Sequence, residues 1–287
     1  MNNGLDRAQY LNLSGIQDWQ TLLDSSLTFL RKSWQHHWLG LPALLDVCIE
    51  TLIPLEWRYE PRIAAHLHCA RLVAQETERL APLSWEPNYH NRLHFADALT
   101  SMTILLAMER ERSGHLDAYW ASLLLLTVTA HDYLHPGGNN QNKFEIENKT
   151  IEALREVWRT EAIDTESQSR VEYMIQHTDP QTIAHNHVLA SQHPFELNLH
   201  WSTDLMNEAD ILASCTQHHG SQLGFQLAQE WRAKDVDLHD FIATPQGRIN
   251  FLRSALFTSA PSKILKINLA IEAEITGLQC QDPSLSS

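Results

Sequence analysis

Basic residues are scarce in this chain: 21 Lys and Arg stand against 35 Asp and Glu over 287 residues, a formal charge of -14. A phosphate backbone or an anionic membrane needs a basic stripe to bind, so both are excluded as partners. An anionic small substrate would have to be met by metal charge. Cysteine is sparse too. Cys48, Cys69, Cys215 and Cys280 lie far apart and form no CxxC pair, which excludes a zinc ribbon or a disulfide framework and points to a reducing cytoplasm. No apolar run approaches a membrane span, and MNNGLDRAQYLNLSG at the N-terminus lacks a basic patch ahead of an apolar segment, so neither insertion nor secretion is expected. Hairpin turns and period-two runs of Val, Ile and Thr are almost missing, which argues against sheets. Nothing reads as a linker, and no repeat appears at periods of about 20 to 50 residues.

What the chain does have is helical spacing. Apolar residues make up 43% and charged residues 20%, the balance of a globular chain. Helical patterns run over Ile16 to Ser33, Leu41 to Leu52, Pro61 to Leu80, Arg92 to Ser113, Phe144 to Arg159, Glu166 to Gln176, Thr203 to Gln217, Ser221 to Lys234, Gly247 to Phe257 and Ser262 to Ile275. Trp120 to Ala130 carries no polar stripe and reads as a helix buried on all sides. The expectation is a single all-α domain over residues 1–287, of roughly a dozen helices, with 1–15 and 279–287 poorly ordered.

The buried run ends in His131-Asp132-Tyr133-Leu134-His135-Pro136-Gly137-Gly138-Asn139-Asn140. Neighbours on a helix point about 100° apart, so His131 and Asp132 can face one ion only if the last turn opens, and Pro136-Gly137-Gly138 opens it. Upstream, His90 and His94 share a helix face at i and i+4. Downstream, Asp210 follows Ala209. Two His and two Asp suit a divalent ion such as zinc, manganese or iron.

Together these segments resemble the catalytic domain of class I cyclic nucleotide phosphodiesterases, metal-dependent phosphohydrolases of the HD type. The pattern HD-x2-H-x4-N is filled by His131, Asp132, His135 and Asn140, and the YHNxxHxxD pattern by Tyr89, His90, Asn91, His94 and Asp97. The "AD" pair is Ala209-Asp210, and Thr178-Asp179 followed by His185 or His187 is similar to a "TD...H" stretch. The likeness covers roughly Pro82 to Ile275. It implies a compact helical fold around a binuclear centre, in a bacterial-type, stand-alone member. His94, His131, Asp132 and Asp210 would hold the tighter ion, zinc in the family. Asp132 would bridge to magnesium or manganese, whose waters His135 and Thr178 help to order, with Asp97 and Glu152 behind them. The implied reaction is hydrolysis of a cyclic phosphodiester by a metal-bridging hydroxide, with His90 as general acid.

Departures from the family fall on the base site. Ala213 stands where an Asn would contact the base. Aligning Phe251 with the aromatic clamp puts Arg248 in the slot of the purine-binding glutamine, and Gln246 reaches it only by a two-residue shift. Tyr89, Phe251, Gln246 and Arg248 are the candidate substrate contacts. The sequence therefore indicates a 3',5'-cyclic nucleotide phosphodiesterase acting in the cytoplasm on cAMP, cGMP or another base, with the assembly state left open and a homodimer among the options. The alternatives are an HD-type phosphohydrolase with another phosphoester substrate and a catalytically silent binding protein.

Overall fold

The structure is a computed structural model that describes residues 10–14, 16–34, 37–83, 86–159, 163–232 and 240–281. Its helix starts are set by short polar side chains that satisfy the free N–H groups of a first turn. Asp18 accepts from the Thr21 N–H at the head of α1 (Trp19–Ser33), and Pro42 opens α2 (Leu41–Leu52). Glu60 caps α3 (Pro61–Leu80), Asn91 caps α4 (Arg92–Ser113), and Asp117 caps α5 (Ala118–Ala130). Then follow α6 (Glu145–Trp158), α7 (Thr165–Gln176), α8 (Ile183–Ser191), α9 (Leu199–Leu212), α10 (Gly220–Trp231), α11 (Pro245–Ser254), α12 (Ala260–Ile264) and α13 (Ile267–Gln281). The described residues contain no strand, and none of their helices is long and apolar enough to cross a membrane.

Helix α4 is the axle of the fold. It packs against α1, α2, α5, α9 and α12, and every residue from His94 to Glu109 is buried. Helix α5 lies between α3 and α4 and is buried from Ala121 to Ala130. Its four leucines, Leu123, Leu124, Leu125 and Leu126, are wholly buried, and each contributes about 2 kcal/mol by leaving water. A helix anchored so firmly fixes the position of whatever follows it, here His131 and Asp132.

Some boundaries differ from the sequence reading. Helix α9 begins at Leu199 and not Thr203, because Asn198 supplies the cap for His200 and Trp201. The expected helix over Ser262 to Ile275 is broken by Lys266 in the left-handed region, φ 57°, which separates α12 from α13. Helix α8 carries little amphipathic signal and was not anticipated. Of the two ends expected to be poorly ordered, Tyr10 is buried and hydrogen-bonded to Thr100 at 2.8 Å, and α13 continues to Gln281. Residues 1–9, 15 and 282–287 lie outside the described residues.

Candidate functional site

Three helix ends converge. His94 sits in the first turn of α4, where Asn91 accepts from the N–H groups of Leu93 and His94. His131 and Asp132 leave the end of α5, where the Tyr133 N–H turns back to the Ala130 carbonyl and Leu134 takes φ 59°. That opened turn lets two consecutive side chains face one point. Asp210 comes from the last turn of α9. One donor atom from each of His94, His131, Asp132 and Asp210 lies within 4.8 Å of the others. His94 Nε2 is 3.1 Å from Asp132 Oδ2 and 3.0 Å from Asp210 Oδ1, and His131 Nε2 is 3.3 Å from both.

These residues fit a metal ion. Bond lengths near 2.0–2.1 Å give donor separations of about 2.8 to 3.4 Å in octahedral or tetrahedral shells. His131 Nδ1 donates to the Val128 carbonyl at 2.9 Å, which leaves the Nε2 lone pair for a ligand. Asp132 Oδ2 is buried, and the polar atoms beside it among the described residues are the two imidazole nitrogens of the cluster itself. Burial opposes charge on both imidazoles, yet the two carboxylates push His94 up to about 9 and His131 well above the usual histidine range. Asp132 and Asp210 are held well below theirs by His131, against the effect of burial. So much unpaired negative potential around two imidazoles is the electrostatic form of a cation site.

Beside the cluster, His90 Nδ1 donates to Glu230 Oε1 at 2.6 Å. Glu230 also accepts the N–H groups of Tyr89 at 2.8 Å, His90 at 3.0 Å and Gly138 at 3.1 Å. Burial works to raise the Glu230 carboxyl, but the His90 bond and these amides hold it at about 2. Gly138, at φ 93°, turns the loop so that its N–H reaches the carboxylate, a conformation that favours glycine. His135 stacks on His90 with centroids 3.8 Å apart. Its Nδ1 accepts from the Gly137 N–H, and burial together with His90 takes the ring down to about 3.

The surrounding residues revise the sequence reading. Glu152 is exposed on α6 and is not beside the cluster. Five residues earlier, and about 140° round the helix, Glu147 is buried, and both its oxygens accept from Asn140 Nδ2 at 3.0 and 2.8 Å. Burial raises its carboxyl, and Asp132 is among the charges acting on it. Asp97 is taken up by Arg31, with bonds of 2.9 and 2.7 Å, and so ties α1 to α4. The Thr178 hydroxyl donates to the Ile175 carbonyl at the end of α7, while Asp179 accepts the N–H of Phe144 at 2.7 Å. His185 is exposed; His187 is buried against Asp204. With Glu208 these two form a second acidic group, but the Glu208 oxygens already accept from the N–H groups of Thr258 and Ser259 and the hydroxyls of Ser259 and Ser262. That group is an anchor for the start of α12.

The solved phosphodiesterase domain of the RhoPDE fusion protein from the choanoflagellate Salpingoeca rosetta matches 84% of this chain and 91% of its own length, with a TM-score of 0.63 at 16% identity. The fold is a phosphodiesterase fold. At that identity the likeness speaks for the arrangement of helices alone. No family model and no curated protein matches the sequence.

Within this phosphodiesterase fold, Tyr89 separates the cluster from a cavity of about 330 Å³. Its ring packs on His94 at 4.7 Å, and its hydroxyl bonds Ser214 at 2.9 Å. Phe251 and Arg248 line the same cavity. The Arg248 guanidinium is fully engaged, however, by Glu274 at 2.8 Å and by the carbonyls of Ser214 and Thr216. Its approach depends on Gly220, where an added Cβ would stand 2.3 Å from Nη2. Gln246 bonds Asn250 on the outer side of α11 and does not line the cavity. Of the four substrate contacts expected, Tyr89 and Phe251 remain available, and Gln246 and Arg248 are set aside.

Proposed function

We propose that this protein is a metal-dependent phosphodiesterase that opens a 3',5'-cyclic nucleotide to the 5'-monophosphate. The observation that carries the reading is the pairing of two adjacent devices: a four-donor cluster of His94, His131, Asp132 and Asp210, and an imidazole, His90, held by a buried carboxylate. Two divalent ions are proposed, zinc on the four donors and magnesium or manganese at a second position near Asp132, Glu147 and His135. When bound, such ions supply positive charge to phosphoryl oxygens and a more acidic water. The chain's own work is proton delivery and positioning. Glu230 fixes the Nδ1 edge of His90, so the Nε2 edge is the one that presents a proton to the departing 3'-oxygen. Glu230 is ionised at neutral pH and stands opposite the imidazolium that this role requires.

The substrate is a small free nucleotide, as the net charge of -14 favours, and the proposed compartment is the cytoplasm, in keeping with the absence of a disulfide among the described residues. Loss of the base-reading amide keeps a second reading alive, hydrolysis of another phosphoester. Metal analysis combined with turnover of cAMP, cGMP, pyrimidine cyclic nucleotides and bis(4-nitrophenyl) phosphate in added manganese decides between them. Cyclic nucleotide hydrolysis with bound metal is the expected result. Hydrolysis of the synthetic diester alone would favour the second reading, and a metal-free, inert protein would overturn both.

A further inference from the structure

We propose that Arg248 is a positioning residue for the metal cluster: by closing the end of α9 it fixes the direction of the Asp210 carboxylate. The inference rests on the metal centre of the phosphodiesterase reading, and it gives the residue in the glutamine slot a task other than reading a base. Among the described residues, the side-chain donors beside the Asp210 carboxylate are the His94 and His131 rings, at 3.0 and 3.3 Å. The His131 ring is also held by the Val128 carbonyl, whereas the direction of Asp210 is set by its backbone. That backbone is the last turn of α9, continued by the tighter turn Ala213–Cys215, where carbonyls run out of helical partners.

Arg248 supplies the missing partners. It is only 8% exposed, so its bonds are made out of water: Nη1 donates to the Ser214 carbonyl, Nη2 to the Thr216 carbonyl at 3.2 Å, and Nε to Glu274 of α13 at 2.9 Å. Charged bonds from a rigid planar fork hold two carbonyls more firmly than a single ammonium can. The cation also meets the negative end of the α9 dipole. Ser214 lies four residues beyond Asp210, about one turn, and Leu212 and Ala213 between them keep helical φ and ψ. A restraint on the Ser214 carbonyl therefore reaches Asp210 through continuous helical backbone. The same serine is held at its hydroxyl by Tyr89 at 2.9 Å. Gly220 reserves the space for the guanidinium: an added Cβ would stand 2.6 Å from both Arg248 Cζ and the Ser214 carbonyl oxygen, well inside ordinary contact.

The test measures zinc affinity, by competition with a chromophoric chelator, in the unaltered protein and in Arg248→Gln, Arg248→Lys and Gly220→Ala. Thermal melts and the kinetics of cAMP hydrolysis at saturating zinc and manganese accompany it. Arg248→Gln should bind zinc about 10- to 100-fold more weakly. Arg248→Lys, which keeps the charge without the fork, should recover part of that loss, and Gly220→Ala should repeat the loss with the arginine in place. His66→Gln opens a buried joint among α3, α5 and α7 that touches no metal donor, so it should change zinc affinity by less than about twofold however far Tm falls. At saturating metal, the KM of Arg248→Gln for cAMP should stay within about twofold of the parent. A raised KM with parental zinc affinity would make Arg248 a substrate contact and overturn the proposal. Lowered Tm with parental zinc affinity in the variants, or an unaltered protein that binds no zinc, would overturn it too. If the unaltered protein hydrolyses no diester at all, including bis(4-nitrophenyl) phosphate, the phosphodiesterase reading fails, and the zinc affinities still decide the role of Arg248. Should Arg248→Gln not fold, Arg248→Lys and Gly220→Ala decide it in the same way.

Discussion

Glu230 gathers four donors from two separate stretches, the N–H groups of Tyr89, His90 and Gly138 and the ring of His90. Replacing it with Gln keeps the volume but removes the charge opposite His90, so turnover should fall about 10- to 100-fold while metal content measured by plasma emission stays normal. His90→Ala should cost about 10² to 10⁴ in kcat with the metal retained; loss of metal in that variant would reassign His90 as a ligand. Asp210→Ala, in contrast, should empty the tighter position. Glu147→Ala should lower activity or metal affinity about 10- to 100-fold, whereas Glu152→Ala on the exposed face of the same helix should stay within about twofold of the parent. The clustering of His94, His131, Asp132 and Asp210 was legible in the sequence because their spacing repeats a recognisable order of motifs. Glu230 was not: it lies near the end of an amphipathic helix with no motif around it, and only the tertiary fold brings it to His90. Glu147 was passed over for Glu152, and only the burial of one and exposure of the other on the same helix tells them apart.

Whole helices were easier to read where caps and prolines write their ends. The spans Leu41–Leu52, Pro61–Leu80 and Arg92–Ser113 match their sequence patterns residue for residue, while α8 has no apolar stripe to announce it. One joint between helices carries a measurable consequence. His66 on α3 is wholly buried, with Nδ1 2.8 Å from the Ser122 hydroxyl of α5 and Nε2 2.9 Å from the Ser167 hydroxyl of α7. Burial holds its ring down at about 4. Its folded value is below its unfolded one, so the unfolded chain binds the extra proton, and the contribution to stability is full above about pH 6.5 and is lost as pH falls through 4. Urea unfolding across that window should show about 2 to 3 kcal/mol of stability drawn from this residue. His66→Gln should flatten the dependence by that amount, and an equal slope in both proteins would exclude the assignment.

For the molecule as a whole, ions held by His94, His131, Asp132 and Asp210 would tie α4, α5 and α9 to one another. Chelation should therefore abolish turnover and lower Tm by roughly 5 to 10 °C, the change expected when a ligand held near a thousand times its Kd is withdrawn from a protein of this size. Asp210→Ala should show almost none of that chelator-dependent shift in a thermal melt. The order in which the parts occur along the polypeptide has its own consequence. Every donor of the cluster has been synthesised by residue 210, but the carboxylate bonded to His90 arrives only at 230, and the cavity behind Tyr89 takes its last wall residues from Phe251 and Leu278. A nascent chain extended no further than α9 would therefore carry the four donors without the carboxylate that holds His90, so the means to capture a metal would precede the means to direct a proton.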